Sequence, residues 1–219
     1  MRIVSSTCVT VVLAILAWPP TGLLHADDQK PDKDGYVPLF GTPTWFIHKG
    51  KQNTWGTSDD GTIFTRRGGG GWYMTKNEYA NFDLHLEIEL STNADIGIAF
   101  RNSTDTDPSF DGNQIQFVDA AISEKWPSDS HTGGIIGVVG PQKNEVLKPA
   151  GEWNAVDILA KGDKLSVKVN NAAVLDVDLA DYKHITKQHP DLLRKNGHIG
   201  LQSWDGLVEF RNLKIKELP

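Results

Sequence analysis

Five apolar residues at every second position, Phe82, Leu84, Leu86, Ile88 and Leu90, alternate with Asp83, His85, Glu87 and Glu89. Successive strand side chains point to opposite faces, so this pattern fits a β-strand with one buried and one wet face, not a helix. The same period returns in short runs at 37–40, 44–48, 62–66, 72–75, 96–101, 114–119, 135–139, 155–160, 165–169, 174–179, 198–204 and 207–216. Turn residues separate them: Asp60-Gly61, the run Gly68 to Gly71, Gly133-Gly134, Gly162-Asp163, Asn170-Asn171 and Asp205-Gly206. The helix signal is one short turn at 191–195, stopped by Asn196-Gly197. So many short strands predict an all-β fold, an antiparallel β-sandwich or jelly roll. No fixed repeat period is present, which argues against a propeller.

The ends of the chain read differently. Met1-Arg2 precedes an apolar stretch at 3–18, then Pro19-Pro20 and a small residue at Ala26. This order is that of a secretory signal peptide cleaved after Ala26, and the stretch is short of the ~20 apolar residues that span a bilayer. The expected organisation is a signal peptide at 1–26, a charged flexible leader at 27–35, and a β-sandwich domain at 36–219. The expected location is periplasmic or extracellular, with no membrane attachment after cleavage. Cys8, the sole cysteine, falls in the signal peptide, so the mature chain is expected to have no disulfide or cysteine metal site. Over the full sequence, 22 Lys and Arg against 28 Asp and Glu give a net charge of -6, which supplies no basic field for nucleic acid.

Alternation also sorts the outward residues. Glu87 and Glu89 lie on the wet face of their strand, ~6.6 Å apart at two residues of rise. With Ile98 and Phe100 inward, Arg101 points out; with Ile115 and Phe117 inward, so do Gln114 and Gln116; with Ile199 and Leu201 inward, so do Gln202 and Trp204. If these residues share one face, carboxylates, a guanidinium, three amides and an indole line it. Such a set suits a sugar, because amides and charged groups bond hydroxyls directionally and an indole covers the apolar face of a pyranose. The same alternation also describes an ordinary solvated sheet face. The glycine run is no phosphate loop, because no Gly-Lys-Ser/Thr follows it. The histidines lack zinc spacing, so no cofactor is evident and a divalent metal has no local motif behind it. Asn102-Ser103-Thr104 matches the short glycosylation triplet.

Several blocks carry a resemblance. Tyr79-Ala80-Asn81-Phe82-Asp83-Leu84, Ile96-Gly97-Ile98-Ala99-Phe100-Arg101 and Gln114-Ile115-Gln116-Phe117-Val118-Asp119 occur in order. Gly151-Glu152-Trp153-Asn154, Gly197-His198-Ile199-Gly200-Leu201-Gln202 and Phe210-Arg211-Asn212 follow. Together they resemble the 3-keto-disaccharide hydrolase domain family over 36–218. The resemblance implies a concanavalin A-like jelly roll of the lectin and glucanase type, export from a bacterial cell, and cleavage of a glycosidic bond in an oxidised sugar. In such a sugar the C3 ketone acidifies the C2 proton, a base removes it, the glycosidic oxygen leaves C1, and water adds back. That route needs a base, a donor to the enolate oxygen and an acid for the leaving oxygen.

The chain departs from the family pattern at chemically important positions. The family's Glu-x-Gln-x-x-Asp stands here as Gln114-x-Gln116-x-x-Asp119, its Asn-Ser-Gly as Asp95-Ile96-Gly97, and its His after Leu-Gln as Trp204. Two readings follow. In one, an active hydrolase uses Glu87, Glu89 or Asp119 catalytically and binds substrate through Arg101, Gln114, Gln116, His131, Gln202 and Trp204. In the other, a lectin-like module binds carbohydrate without turning it over.

Overall fold

A computed structural model describes residues 30–39, 44–144 and 146–219. The proposed signal peptide therefore lies outside the described residues. Among the described residues thirteen strands are formed: β1 Val37–Pro38, β2 Trp45–His48, β3 Trp55–Thr57, β4 Ile63–Thr65, β5 Trp72–Thr75, β6 Phe82–Leu90, β7 Asp95–Asn102, β8 Gln114–Val118, β9 Trp153–Lys161, β10 Lys164–Val169, β11 Ala172–Asp178, β12 His198–Gln202 and β13 Val208–Glu217. They make two antiparallel sheets. The larger runs β11-β10-β9-β6-β13-β4-β3, with β1 added on β13, and the smaller runs β2-β5-β12-β7-β8. This is the β-sandwich expected from alternation.

The inward positions of both sheets meet in one core. Phe82, Leu84, Leu86 and Ile88 of β6 face Ile98, Phe100, Ile115, Phe117, Ile199 and Leu201 of the smaller sheet, and all are buried. At ~25 cal/mol per Å² of apolar surface, such burial dominates the stability of the fold. A second, small cluster of Trp72, Met74 and Ala99, with Phe46 against it, sits apart from this core. These residues have the opposite parity to the core positions of β5 and β7. Part of the smaller sheet's outer face is therefore covered as well.

Three segments differ from the alternation. The stretch 135–139 is a tight turn closed by an Ile135–Val139 bridge, with Gly137 at φ 70°, rather than a strand. One turn of helix, α1 Ala120–Ser123, follows β8, and a 3-10 segment runs over Leu179–Ile185. Neither is long enough to give a helical period that sequence reading detects. A bulge also interrupts β7 against β12, because the register slips between the pairs His198–Asn102 and Gly200–Ala99. Arg101 takes a φ of 51° there, and every later side chain on the strand changes direction.

Candidate functional site

Three neighbouring strands build one polar floor. Gln114 and Gln116 on β8 and Gln202 on β12 flank β7, whose outward residues in this region are Asp95, Gly97 and Ala99. Gly97 pairs with Gln116, and a Cβ added at Gly97 meets the Gln114 side chain at 2.5 Å. Only glycine lets that glutamine lie across the middle strand. The amides then join. Gln114 Nε2 donates to Gln116 Oε1 at 2.6 Å and to Gln202 Oε1 at 3.2 Å, while Gln202 Nε2 donates to Ser109 Oγ at 2.8 Å. Gln116 Nε2 donates to Asp95 Oδ1 at 2.7 Å, so the chain of amides ends on a carboxylate. Gln114 Oε1 is buried and has no partner.

Asp95 is only 6% exposed, and no cation is paired with it among the described residues. Burial raises its carboxyl above the usual carboxylate range, and the nearby Asp205 charge adds to the rise, while the Gln116 hydrogen bond opposes it. A cavity of about 270 Å³ opens over this floor, lined by Asp95, the three glutamines, Ser109 and Ile136 among others. Three aromatics wall it: Phe110, Trp126 and Trp204, which are 68%, 41% and 46% exposed. Phe110 and Trp204 meet edge to face, with centroids 6.3 Å apart. Large apolar rings left in water beside buried directional donors are what a ring-shaped polyhydroxylated ligand requires. The glycine run is the loop under Trp204. Gly69 N donates to Trp204 O, and a Cβ on Gly68 would stand 2.9 Å from that oxygen.

The sequence-derived residues thus divide. Gln114, Gln116, Gln202 and Trp204 come together in the cavity. Glu87 and Glu89 do not join them, because β6 belongs to the other sheet and its outward residues face the far side of the sandwich. Glu87 accepts from Arg211 Nε at 2.6 Å there. Arg101 turns away at the bulge and is 1% exposed, its guanidinium donating to Ala80 O, Gly162 O and Asn81 Oδ1. Asp119 caps α1, accepting from Ala121 N, and holds Asn93 N at 2.7 Å in the β6–β7 turn. His131 lies beside Glu124 and Thr132 in a neighbouring depression, with Nε2 3.2 Å from Trp126 O. Asn102 is fully buried, bonding Asn113 O through Nδ2 and Asn113 N through Oδ1, which leaves the glycosylation triplet inaccessible. Among the described residues, no group of three or more His, Cys, Asp or Glu is placed to hold a metal ion.

Sequence reading missed Asp95, Phe110 and Trp126. Asp95 stands one residue before the run read from Ile96, yet its parity already put it on the face of Gly97. The two aromatics sit on irregular segments, where alternation says nothing.

The jelly-roll sandwich that carries this amide- and aromatic-lined cavity is a fold shared by glycosyl hydrolases and carbohydrate-binding domains. A carbohydrate binding module of Bacillus subtilis superposes with a TM-score of 0.53 at 14% identity, covering 80% of this chain and 96% of that one. The chain belongs to the 3-keto-alpha-glucoside-1,2-lyase-like domain family, whose model matches residues 35–216. A 3-keto-disaccharide hydrolase of Bacteroides thetaiotaomicron is 25% identical over 85% of this chain and 80% of its own length. The solved structure of a candidate glycosyl hydrolase from Parabacteroides distasonis is 27% identical, with a TM-score of 0.70 over 84% of this chain and 99% of that one.

Proposed function

We propose that this protein is an exported hydrolase that cleaves the glycosidic bond of a 3-keto-disaccharide, with Asp95 as its general base and acid. One observation carries the reading: among the described residues, Asp95 is the single carboxylate lining the cavity, uncompensated by any cation and set at the end of the amide chain. The raised proton affinity of Asp95 makes it a stronger base than an ordinary aspartate. Asp95 takes the proton from C2 of the 3-keto ring, and the electron pair moves onto the C3 oxygen. Each glutamine nitrogen carries two hydrogens, and the Gln116 and Gln202 nitrogens each use one within the protein. The second hydrogens are free to meet the enolate oxygen. Collapse of the enolate expels the glycosidic oxygen from C1, which takes the proton from Asp95. Water then adds to C1 and C2 regains a proton, giving the free 3-keto sugar and a second sugar. Membership of the family and the name of the Bacteroides relative support this substrate class.

The swap of residue types fits the same reading. Where the family pattern has Asn and Glu, this chain has Asp95 and Gln114, so a carboxylate is retained one strand away. Wild-type protein incubated with a 3-keto-disaccharide is expected to release reducing sugar, and Asp95→Asn is not. Equal release by both proteins overturns the role of Asp95.

A second reading rests on the rim. Three exposed aromatics beside a cavity whose carboxylate is already engaged by Gln116 favour a binding module. Sugar binding by calorimetry with no turnover of any 3-keto-glycoside selects it. Export is tested separately by intact mass, with an N-terminus at Asp27 expected in the mature protein.

A further inference from the structure

Asp95 has a close neighbour of like charge across a β-bridge. Asp95 N donates to Asp205 O at 3.1 Å, and Asp205 N donates to Asp95 O at 3.0 Å. Residues that exchange both bonds are directly opposed, with Cα atoms ~5.5 Å apart and side chains on one face. Their surroundings differ. Asp95 is buried in the amide cavity, whereas Asp205 is exposed, with Oδ1 accepting from Gly206 N at 2.8 Å.

Asp205 lines a second depression of about 500 Å³ with Asn93, Ile122, Lys125 and Trp126. Trp126 lines the amide cavity too, so one indole divides the two spaces. Asn93 is held in place by the hydrogen bond its backbone N–H donates to Asp119 Oδ2. Lys125 makes no ion pair among the described residues, so its three N–H donors stay available, as does Asp205 Oδ2 as an acceptor. The amide cavity alone, at about 270 Å³, falls just under the ~300–1,000 Å³ range of small-molecule sites. A ligand larger than one ring must leave it, and the way past Asp95 leads to Asp205.

We propose that the depression around Asp205 and Lys125 receives the second ring of the substrate, with the interglycosidic bond over the Asp95–Asp205 bridge and Trp126 against both rings. This assignment rests on the sugar-processing reading of the amide cavity. Asp205 and Lys125 are then specificity-determining residues that favour two-ring over one-ring glycosides.

The measurement is a ratio: kcat/KM for the 3-keto derivative of maltose divided by kcat/KM for methyl 3-keto-α-glucoside. Any effect of Asp205 on Asp95 itself enters both values and cancels. The Asp205→Ala, Lys125→Ala double variant is expected to lower this ratio about tenfold, equal to about 1.4 kcal/mol. Each single variant gives part of that drop. An unchanged ratio overturns the proposal while leaving the hydrolase standing. If wild type turns over neither compound, the hydrolase reading fails instead. The ratio of calorimetric affinities for maltose and methyl α-glucoside then takes its place. The same drop in the double variant supports the second-ring site, and no drop overturns it.

Discussion

The outer faces of the two sheets carry similar residue types and put them to different ends. On the larger sheet several charges meet partners across the strands. His85 Nδ1 lies 2.7 Å from Asp157, Glu87 holds Arg211, and Arg211 lies over Trp153 with its guanidinium 3.9 Å from the ring centroid. Asp83 accepts from the Tyr36 hydroxyl at 2.8 Å, and Lys214 sits 4.5 Å from the Tyr36 ring. Those contacts follow the register, which sets His85 opposite Asp157 and Glu87 opposite Arg211. On the smaller sheet β7 offers glycine and alanine, its flanking strands offer amides, and the acid on β7 has no cation partner among the described residues. Compensated charge makes a solvated surface. Uncompensated charge under cover makes a reactive group.

The widest separation between the two faces is expected in turnover. Asp95→Asn removes the base without changing shape, and loss of a general base lowers kcat by ~10²–10⁴-fold. Glu87→Gln and Glu89→Gln, on the far face, are expected to leave kcat within twofold, as initial rates on a 3-keto-disaccharide will read. The reverse result moves the chemistry to the larger sheet. Gln114→Glu is informative beside these. It places a second acid against the Gln116–Asp95 pair, so it is expected to lower activity, because two uncompensated carboxylates would share one buried site.

The same aspartate has a signature in stability. The folded state holds the Asp95 proton more tightly than the unfolded chain does, whose value is near 3.8. This contribution is therefore present below that value and is lost as pH rises through the raised folded one. Thermal melts are expected to show Asp95→Asn gaining on wild type as pH rises from about 3.8. A gap that stays constant across that range contradicts an uncompensated carboxylate.

The next effect concerns the floor. Gly97→Ala forces a methyl group to within 2.5 Å of Gln114, and overpacking of this kind costs ~1–3 kcal/mol. Denaturant melts will show that loss, together with weaker sugar binding as Gln114 is displaced. Trp204→Ala comes below it. Loss of an aromatic contact on a pyranose face is expected to weaken sugar affinity by ~1 kcal/mol, about fivefold, in calorimetry, with little change in stability because the ring is already half in water.

Much of the fold was legible because alternation with period two is a direct print of burial. Every core residue named from it on β6, β7, β8 and β12 is buried. The site was legible only by half. Parity says that a residue points outward; it does not say from which sheet, so Glu87 and Gln114 looked equivalent. The distinguishing sign was present in the outward residues themselves. Gly97 and Ala99 are poor choices for a face in water, and glutamines in place of Lys or Glu on β8 point to a face that is covered. All five residues of β8 and all eight of β7 are buried. Arg101 was misplaced because a bulge resets parity and has no signature in a single sequence beyond a residue that tolerates positive φ. Phe110 and Trp126 reach the cavity by tertiary packing of irregular segments, which no local period encodes.

The smallest effect belongs to the larger sheet and tests whether its face is only a surface. Arg211 and Glu87 are each partly exposed, at 40% and 24% of the side chain, so water screens their attraction. A double-mutant cycle of Arg211→Ala and Glu87→Ala is expected to give a coupling of ~0.2–1 kcal/mol in denaturant melts, the range of exposed pairs. Arg211→Ala costs somewhat more than Glu87→Ala, because it also strips the guanidinium from Trp153, a contact worth ~0.5–1 kcal/mol at exposed sites. Sugar affinity should stay at the wild-type value in all three proteins, since neither residue lines the amide cavity. A fall in sugar affinity in either single variant would show that the far face takes part in recognition, and the contrast between compensated and uncompensated faces would no longer mark the site.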